Sequence, residues 1–190
     1  MLLFASIADD SPCKWKLTVD DTLILRIAEG DKEAFTTLYK ETAKSVYAYA
    51  LTILKNSDDA EDVLQDTFLK IRAAASVYQP QGKLLAWILT ITKNLCMMKL
   101  RRQKFLSYNN LDEDSLKSTH SHIEDLEDRL VLKIALNILS DEECQIIILH
   151  AITGWKHREI AELLHLPLST VLSKYHRGLK KLKTELEGIL

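Results

Sequence analysis

The stretch HREIAELLHLPLSTVLSKYHRGLKKLK, His157 to Lys183, decides how this chain is read. Ile160, Ala161, Leu163 and Leu164 recur at helical spacing, and so do Val171, Tyr175, Leu179 and Leu182. Between them Pro167 cannot sit inside a helix, because it lacks the N–H and clashes with the preceding turn. The spacing therefore predicts a short helix, a turn over Leu166–Leu168 and a longer helix capped by Ser169, which is a helix-turn-helix. The second helix would expose Ser169, Thr170, Ser173, Lys174, Arg177 and Lys181. From Leu166 to Lys183 there are five Lys or Arg, one His and no acid. Such a helix suits a DNA major groove, where cations neutralise phosphates and Arg or Ser reach base edges. A solvated cationic face on a purely structural helix is the competing reading. The turn, the proline and the cap favour DNA.

Outward from this segment, the totals bound the rest. The chain has 190 residues, 47 % of them hydrophobic, enough for one domain or two small ones with packed cores. Five Gly and three Pro are too few for the turns of a strand-rich fold, so long helices are expected. Three widely spaced cysteines, Cys13, Cys96 and Cys144, make neither a CxxC pair nor a disulfide framework. The start, MLLFASIADD, makes a poor signal peptide, and no run reaches the length of a membrane span. A cytoplasmic protein is expected.

The net charge of −2 hides segregation. Residues 1–105 hold 15 Lys/Arg and 13 Asp/Glu, residues 106–130 hold 2 and 7, and residues 131–190 hold 8 and 7. Residues 1–20 read as a loose tail. A first helix opens at Asp20 or Asp21, and Gly30 and Asp31 end it and cap the second, which carries Phe35, Leu38, Tyr39, Val46, Tyr49, Ile53 and Leu54. Asn56 or Ser57 caps a third, with Ala60, Val63, Leu64, Thr67, Phe68 and Ile71 inward. After a loop set by Pro80 and Gly82, a fourth helix is expected with Leu84, Trp87, Ile88, Ile91, Leu95 and Met98 inward, although ILTIT alone could form a strand. Residues 106–129 are polar and acidic and read as a linker, helical near its end. In LSDEECQIIILHAI, Ser140 and Glu143 form a capping box.

Two further zones carry charge. The third helix exposes Asp58, Glu61, Asp62, Gln65 and Asp66. The four acids among them suit the positive end of the helix dipole or a basic protein partner, and show no EF-hand spacing. Residues 83–104 hold Lys83, Lys93, Lys99, Arg101, Arg102 and Lys104 with no acid, beside Tyr78, Trp87 and Phe105. Cations among flat side chains suit single-stranded nucleic acid, although Trp87 could equally be core. No glycine-rich phosphate loop or HExxH is present, so no catalysis, cofactor or small-molecule substrate is expected. His150, His157 and Cys144 leave a zinc site as a remote alternative.

GDKEAFTTLYKE, DAEDVLQDTFLKIR, AWILTITKNLCMMKLRR and LSDEECQIIILHAITGWKHREIAELLHLPLSTVLSKYHRGLKKLK stand in this order. Together they resemble the extracytoplasmic-function sigma factors of bacterial RNA polymerase over residues 21–187. The resemblance implies an all-α protein of two small helical domains, residues 21–105 and 130–190, joined by the flexible acidic linker 106–129. It implies a transcription initiation factor and no enzyme. Asp62, Gln65 and Asp66, with Glu61 beside them, match residues that dock on the clamp helices of core polymerase. Tyr78, Lys83, Leu84, Trp87, Asn94, Arg101 and Arg102 match the region that melts and holds the minus-ten strand. Ser173, His176 and Arg177 would read the minus-thirty-five duplex, with Ser169, Thr170, Lys174 and Lys181 around them. An anti-sigma factor is a further implied partner. Leu84 stands where many members have an aromatic, Leu172 where a cation is common, and His165 where Gly is frequent. The leader 1–20 lies outside the common pattern. A stand-alone helix-turn-helix regulator is the rival reading.

Overall fold

The computed structural model describes residues 16–107 and 126–187. They fall into two compact units, one running from Thr18 through the fourth helix and the other comprising the later helices together with Lys16 and Leu17. Among the described residues the regular structure is helical, with no strand.

The first unit contains α1 (Asp21–Ala28), α2 (Lys32–Leu54), α3 (Ser57–Ala74), a 3₁₀ turn (Ala75–Val77) and α4 (Leu84–Ser107). Its boundaries are set by side chains that satisfy the orphan N–H groups of each first turn. Asp20 accepts from Thr22 N, Asp31 from the N–H groups of Glu33 and Ala34, and Asn56 from those of Asp58 and Asp59. α2, α3 and α4 pack pairwise, with α1 against α2. Leu38, Val46, Tyr49, Leu64, Ile71, Ile88 and Leu89 form the dry centre. Burial pushes the Cys96 thiol up to about 12, which makes it a small core residue.

α4 differs from its sequence reading in rotation. Its inward stripe is Leu84, Leu85, Ile88, Leu89, Thr92 and Cys96, whereas Met98 is 62 % exposed and Trp87 only half-buried. The helix buries a two-residue-wide edge that advances through 88, 92 and 96, and Met98, two residues past Cys96, lies about 200° round the helix from it.

The second unit contains α5 (Leu126–Ile138), α6 (Asp141–Thr153), α7 (His157–Leu164) and α8 (Leu168–Glu187). Ser140 and Glu143 form the capping box on α6, and Gly154 ends the helix in the left-handed region. α8 packs on α5, α6 and α7. At Gly178 the contact is close: a Cβ there would stand 2.7 Å from Ile147 Cδ1. A side chain there would force the end of Ile147 to move or α8 to draw back from α6. α8 starts at Leu168, directly after Pro167, so Ser169 lies within its first turn and is not the cap. Pro167 supplies the first acceptor instead, its C=O taking the Val171 N–H at 3.1 Å.

The leader is anchored where it is described. Leu17 N donates to Thr153 O at 2.8 Å, and Lys16 Nζ pairs with Glu159 at 2.5 Å. Residues 1–15, and 108–125 of the expected linker, lie outside the described residues. The linker's first two and last four positions continue α4 and open α5.

Candidate polymerase and promoter interface

On α3 the inward residues Val63, Leu64, Thr67 and Phe68 leave Asp58, Asp62, Gln65 and Asp66 on the exposed side, with Glu61 half-buried at its margin. The structure therefore brings all four sequence-predicted docking residues together. It adds Leu69, 63 % exposed, one turn beyond Gln65 and Asp66. Sequence reading missed it, although its distance of seven from Asp62 marks the same outward face.

The acidic turn of α3 is not isolated. Lys99 Nζ on α4 stands 2.7 Å from Asp59 Oδ1 and 2.7 Å from Asp62 Oδ2, and Gln103 Nε2 donates to Asp59 Oδ2 at 2.6 Å. Partial burial works to lower the Lys99 ammonium, but the two carboxylates outweigh it and hold its pKa above the ordinary lysine value. One of the cations expected to meet nucleic acid thus meets carboxylates instead.

Next to α4's start, the Tyr78 and Trp87 rings meet at 4.9 Å between centroids, inclined by 56°. The loop between them is pinned by Asp21 Oδ2, which accepts from Gly82 N at 2.7 Å, where φ is +66°. Burial raises the Tyr78 hydroxyl above its usual pKa, and the nearby Asp21 adds to this. Lys83, Asn94, Arg101 and Arg102 are exposed. Leu84 is a correction: it is 1 % exposed, the first residue of the inward stripe, and offers no side chain to a strand.

The last helix, α8, has two unlike outer faces. Ser169, Leu172, Ser173, His176 and Lys180 are exposed, although the Ser173 hydroxyl donates to its own helix at Thr170 O, 3.0 Å. Lys174, Arg177 and Lys181 lean toward the first turn of α6, with Thr170 half-buried one turn before Lys174. Lys174 pairs with Glu142 at 2.8 Å, while Lys181 and Arg177 pair with Glu143 at 2.8 and 3.9 Å. Glu143 is 2 % exposed. Burial works to raise its carboxyl, but the Lys181 ammonium and the Ser140 N–H outweigh this and hold it below the usual range. These acids balance the cationic segment, from a helix that sequence reading did not connect to it. Leu168 and Leu172 were likewise missed as exposed apolar groups at the start of α8. His165, at the turn, has φ +59°.

Behind α8, His150 and His157 stack at 4.8 Å, and Tyr175 meets the His157 ring edge-on at 4.4 Å. His150 Nδ1 bonds Trp155 O at 2.7 Å. Burial, with the neighbouring His150 and His176, pushes the His157 ring down to about 4. This trio packs α6, α7 and α8 together.

Comparison with known proteins gives a consistent result. Residues 38–105 match the family model for Sigma-70 region 2, and residues 130–182 match that for Sigma-70, region 4. The RNA polymerase sigma factor CarQ of Myxococcus xanthus is 28 % identical over 167 residues, covering 87 % of this chain and 95 % of CarQ. The ECF RNA polymerase sigma factor SigK of Mycobacterium sp. (strain KMS) is 27 % identical over 170 residues, covering 86 % of this chain and 88 % of SigK. Among solved structures, the sigma factor RpoE from Bartonella quintana, in complex with the anti-sigma factor NepR, superposes with a TM-score of 0.66 at 24 % identity. It covers 80 % of this chain and 96 % of RpoE.

Proposed function

We propose a division of labour for this chain, which belongs to the sigma-70 family, of the extracytoplasmic-function type: α3 docks core RNA polymerase, α4 holds the minus-ten strand and α8 reads the minus-thirty-five duplex. The protein is a transcription initiation factor that binds core polymerase and directs it to promoter DNA. This membership sets the stand-alone regulator aside. Sigma factors act without enzymatic chemistry of their own, and we extend that to this chain together with a cytoplasmic location. Among the described residues no helix is long and apolar enough to cross a membrane.

In this reading residues 21–105 and 130–190 are the working domains and 106–129 join them. Asp62, Gln65 and Asp66, with Glu61 at the margin, offer carboxylates and an amide to cations on the polymerase clamp helices. Tyr78, Lys83, Trp87, Asn94, Arg101 and Arg102 receive the unpaired strand, because aromatic faces stack on bases and guanidinium groups pair with phosphates. Unstacking a base costs a few kcal/mol, which these contacts must offset. Ser173, His176 and Arg177 read base edges, with Ser169 beside them, and Thr170, Lys174 and Lys181 serve phosphates. Lys174, Arg177 and Lys181 engage DNA once the duplex competes with Glu142 and Glu143 for them. A regulatory protein that covers the exposed apolar residues Leu69, Met98 and Phe105 belongs to the same proposal, prompted by the RpoE complex.

The observation that carries the docking assignment is the exposed acidic side of α3, laid bare by an inward stripe on its other side. The test is binding to purified core polymerase followed by promoter-directed transcription. Asp62→Arg reverses an interfacial charge, and the expected weakening is about 30-fold or more, since losing a charge partner costs ~2–5 kcal/mol. Unchanged binding by Asp62→Arg would sink the assignment.

A further inference from the structure

We infer that Lys99 is a positioning residue for polymerase docking: it holds Asp62 in the orientation in which α3 presents it. The inference rests on the docking assignment above and deepens it.

The geometry is a relay of three groups. Asp59 is mostly covered and uses both carboxylate oxygens inside the unit, Oδ1 on Lys99 and Oδ2 on Gln103. That fixes the ammonium, whose side chain is only 23 % exposed. The same ammonium reaches Asp62 Oδ2 at 2.7 Å, while the Asp62 side chain remains 68 % exposed. A carboxylate has two oxygens and about four lone-pair sites, so one bond to Lys99 leaves acceptor capacity for a partner. An aspartate on an exposed helix otherwise samples several rotamers. Holding one oxygen selects among them before the partner arrives, so less freedom is lost on binding. The ammonium also reduces repulsion among Asp58, Asp59, Glu61 and Asp62, which crowd the start of α3. Because Lys99 sits on α4, the docking side of α3 is oriented by the helix that carries Asn94, Arg101 and Arg102. An opposite outcome is physically possible: Lys99 could compete with polymerase cations for Asp62, and its removal would then strengthen docking.

A double-mutant cycle on the full-length chain separates these cases. Affinity for core polymerase is measured for wild type, Lys99→Met, Asp62→Asn and the double variant, with Lys99→Arg as the conservative control. Lys99→Met should weaken binding about threefold to tenfold, the range of coupling between contacting residues. Lys99→Arg should recover most of the loss, since a guanidinium can bridge the same two carboxylates. In the Asp62→Asn background, where the carboxylate charge is gone and only a weaker amide acceptor remains, Lys99→Met should cost clearly less than in wild type. A purely structural role would give the same loss in both backgrounds and would overturn the inference. Unchanged or tighter binding by Lys99→Met, beside a clear loss in Asp62→Asn, would overturn it too while leaving the docking assignment intact. Full affinity in Asp62→Asn alone would instead remove the docking assignment, and the Lys99 inference with it.

Discussion

Both units use the same chemistry with different consequences. In the first, acids at the start of α3 catch Lys99 from α4. In the second, acids at the start of α6 catch Lys174, Arg177 and Lys181 from α8. The difference is depth. Glu143 is enclosed, doubles as half of a capping box and lies beside the close approach at Gly178, whereas Asp62 stays open to solvent. An enclosed carboxylate left without partners is costly, while an exposed pair contributes little to stability. Glu143 therefore acts as a strut of the fold, while in the first unit Lys99 and Asp59 are mostly covered and Asp62 is the carboxylate left open to act on a partner.

The comparison breaks most visibly at Glu143. Glu143→Ala removes its half of the capping box and the charged bonds together and should destabilise the second unit by about 2–4 kcal/mol in chemical denaturation. Glu143→Gln keeps a capping amide and should lose less. A loss below about 0.5 kcal/mol for Glu143→Ala would show that depth is not what separates the two units.

Gly178→Ala tests the close approach on which that depth depends. The new methyl meets Ile147 Cδ1, so α8 must move away from α6 or Ile147 must leave its rotamer, at a cost of about 1–3 kcal/mol. Better helix propensity offsets about 1 kcal/mol of this, so the net loss should be modest. A stabilised variant would mean that Ile147 turns aside at little cost and the close approach does not depend on the glycine.

Acid pH offers a third probe of the second unit. Above pH 6.5 the His157 ring is neutral whether the chain is folded or not. Below that, the unfolded chain takes up a proton that the folded ring refuses until about pH 4. Stability should fall across this window and the histidine contribution should level off beneath it. Partial exposure keeps the loss on the order of 1 kcal/mol, below what the full shift would give. Thermal unfolding at pH 7 and pH 5 should show a smaller difference in His157→Phe than in wild type. Glu143 adds a separate decline at lower pH, because its carboxyl is held below the ordinary value of 4.5 and its bonds are lost as it protonates. The smallest effect belongs to the first unit: after Lys99→Met, Asp59 keeps its bond from Gln103 and Asp62 is solvated, so folding stability should fall by about 1 kcal/mol, and affinity measured under native conditions reads the binding phenotype separately.

What was legible in the sequence was local. Asp20, Asp31, Asn56 and Ser140 cap helices because each can reach N–H groups two or three residues away. The acidic side of α3 also followed from spacing alone. Misreadings arose where a residue's surroundings come from another helix. Period put Leu84 inward correctly, against the minus-ten role that the resemblance implied for it, but misplaced Met98, because the rotation of α4 is fixed by what α2 and α3 leave uncovered. Ser169 is not the cap because the helix already begins at Leu168, directly after Pro167, which puts Ser169 inside the first turn.

The sequence by itself determined the helices, the break at Pro167 and the four ordered motifs of a sigma factor, since all depend on neighbours along the chain. Tertiary structure alone decided which acids meet which cations. Lys99 and Asp62 are 37 residues apart, and Lys181 and Glu143 are 38. Coulomb attraction selects such pairs only after packing has brought two helices within hydrogen-bond reach, and at α8 that reach depends on a glycine with no side chain to hold the helices apart.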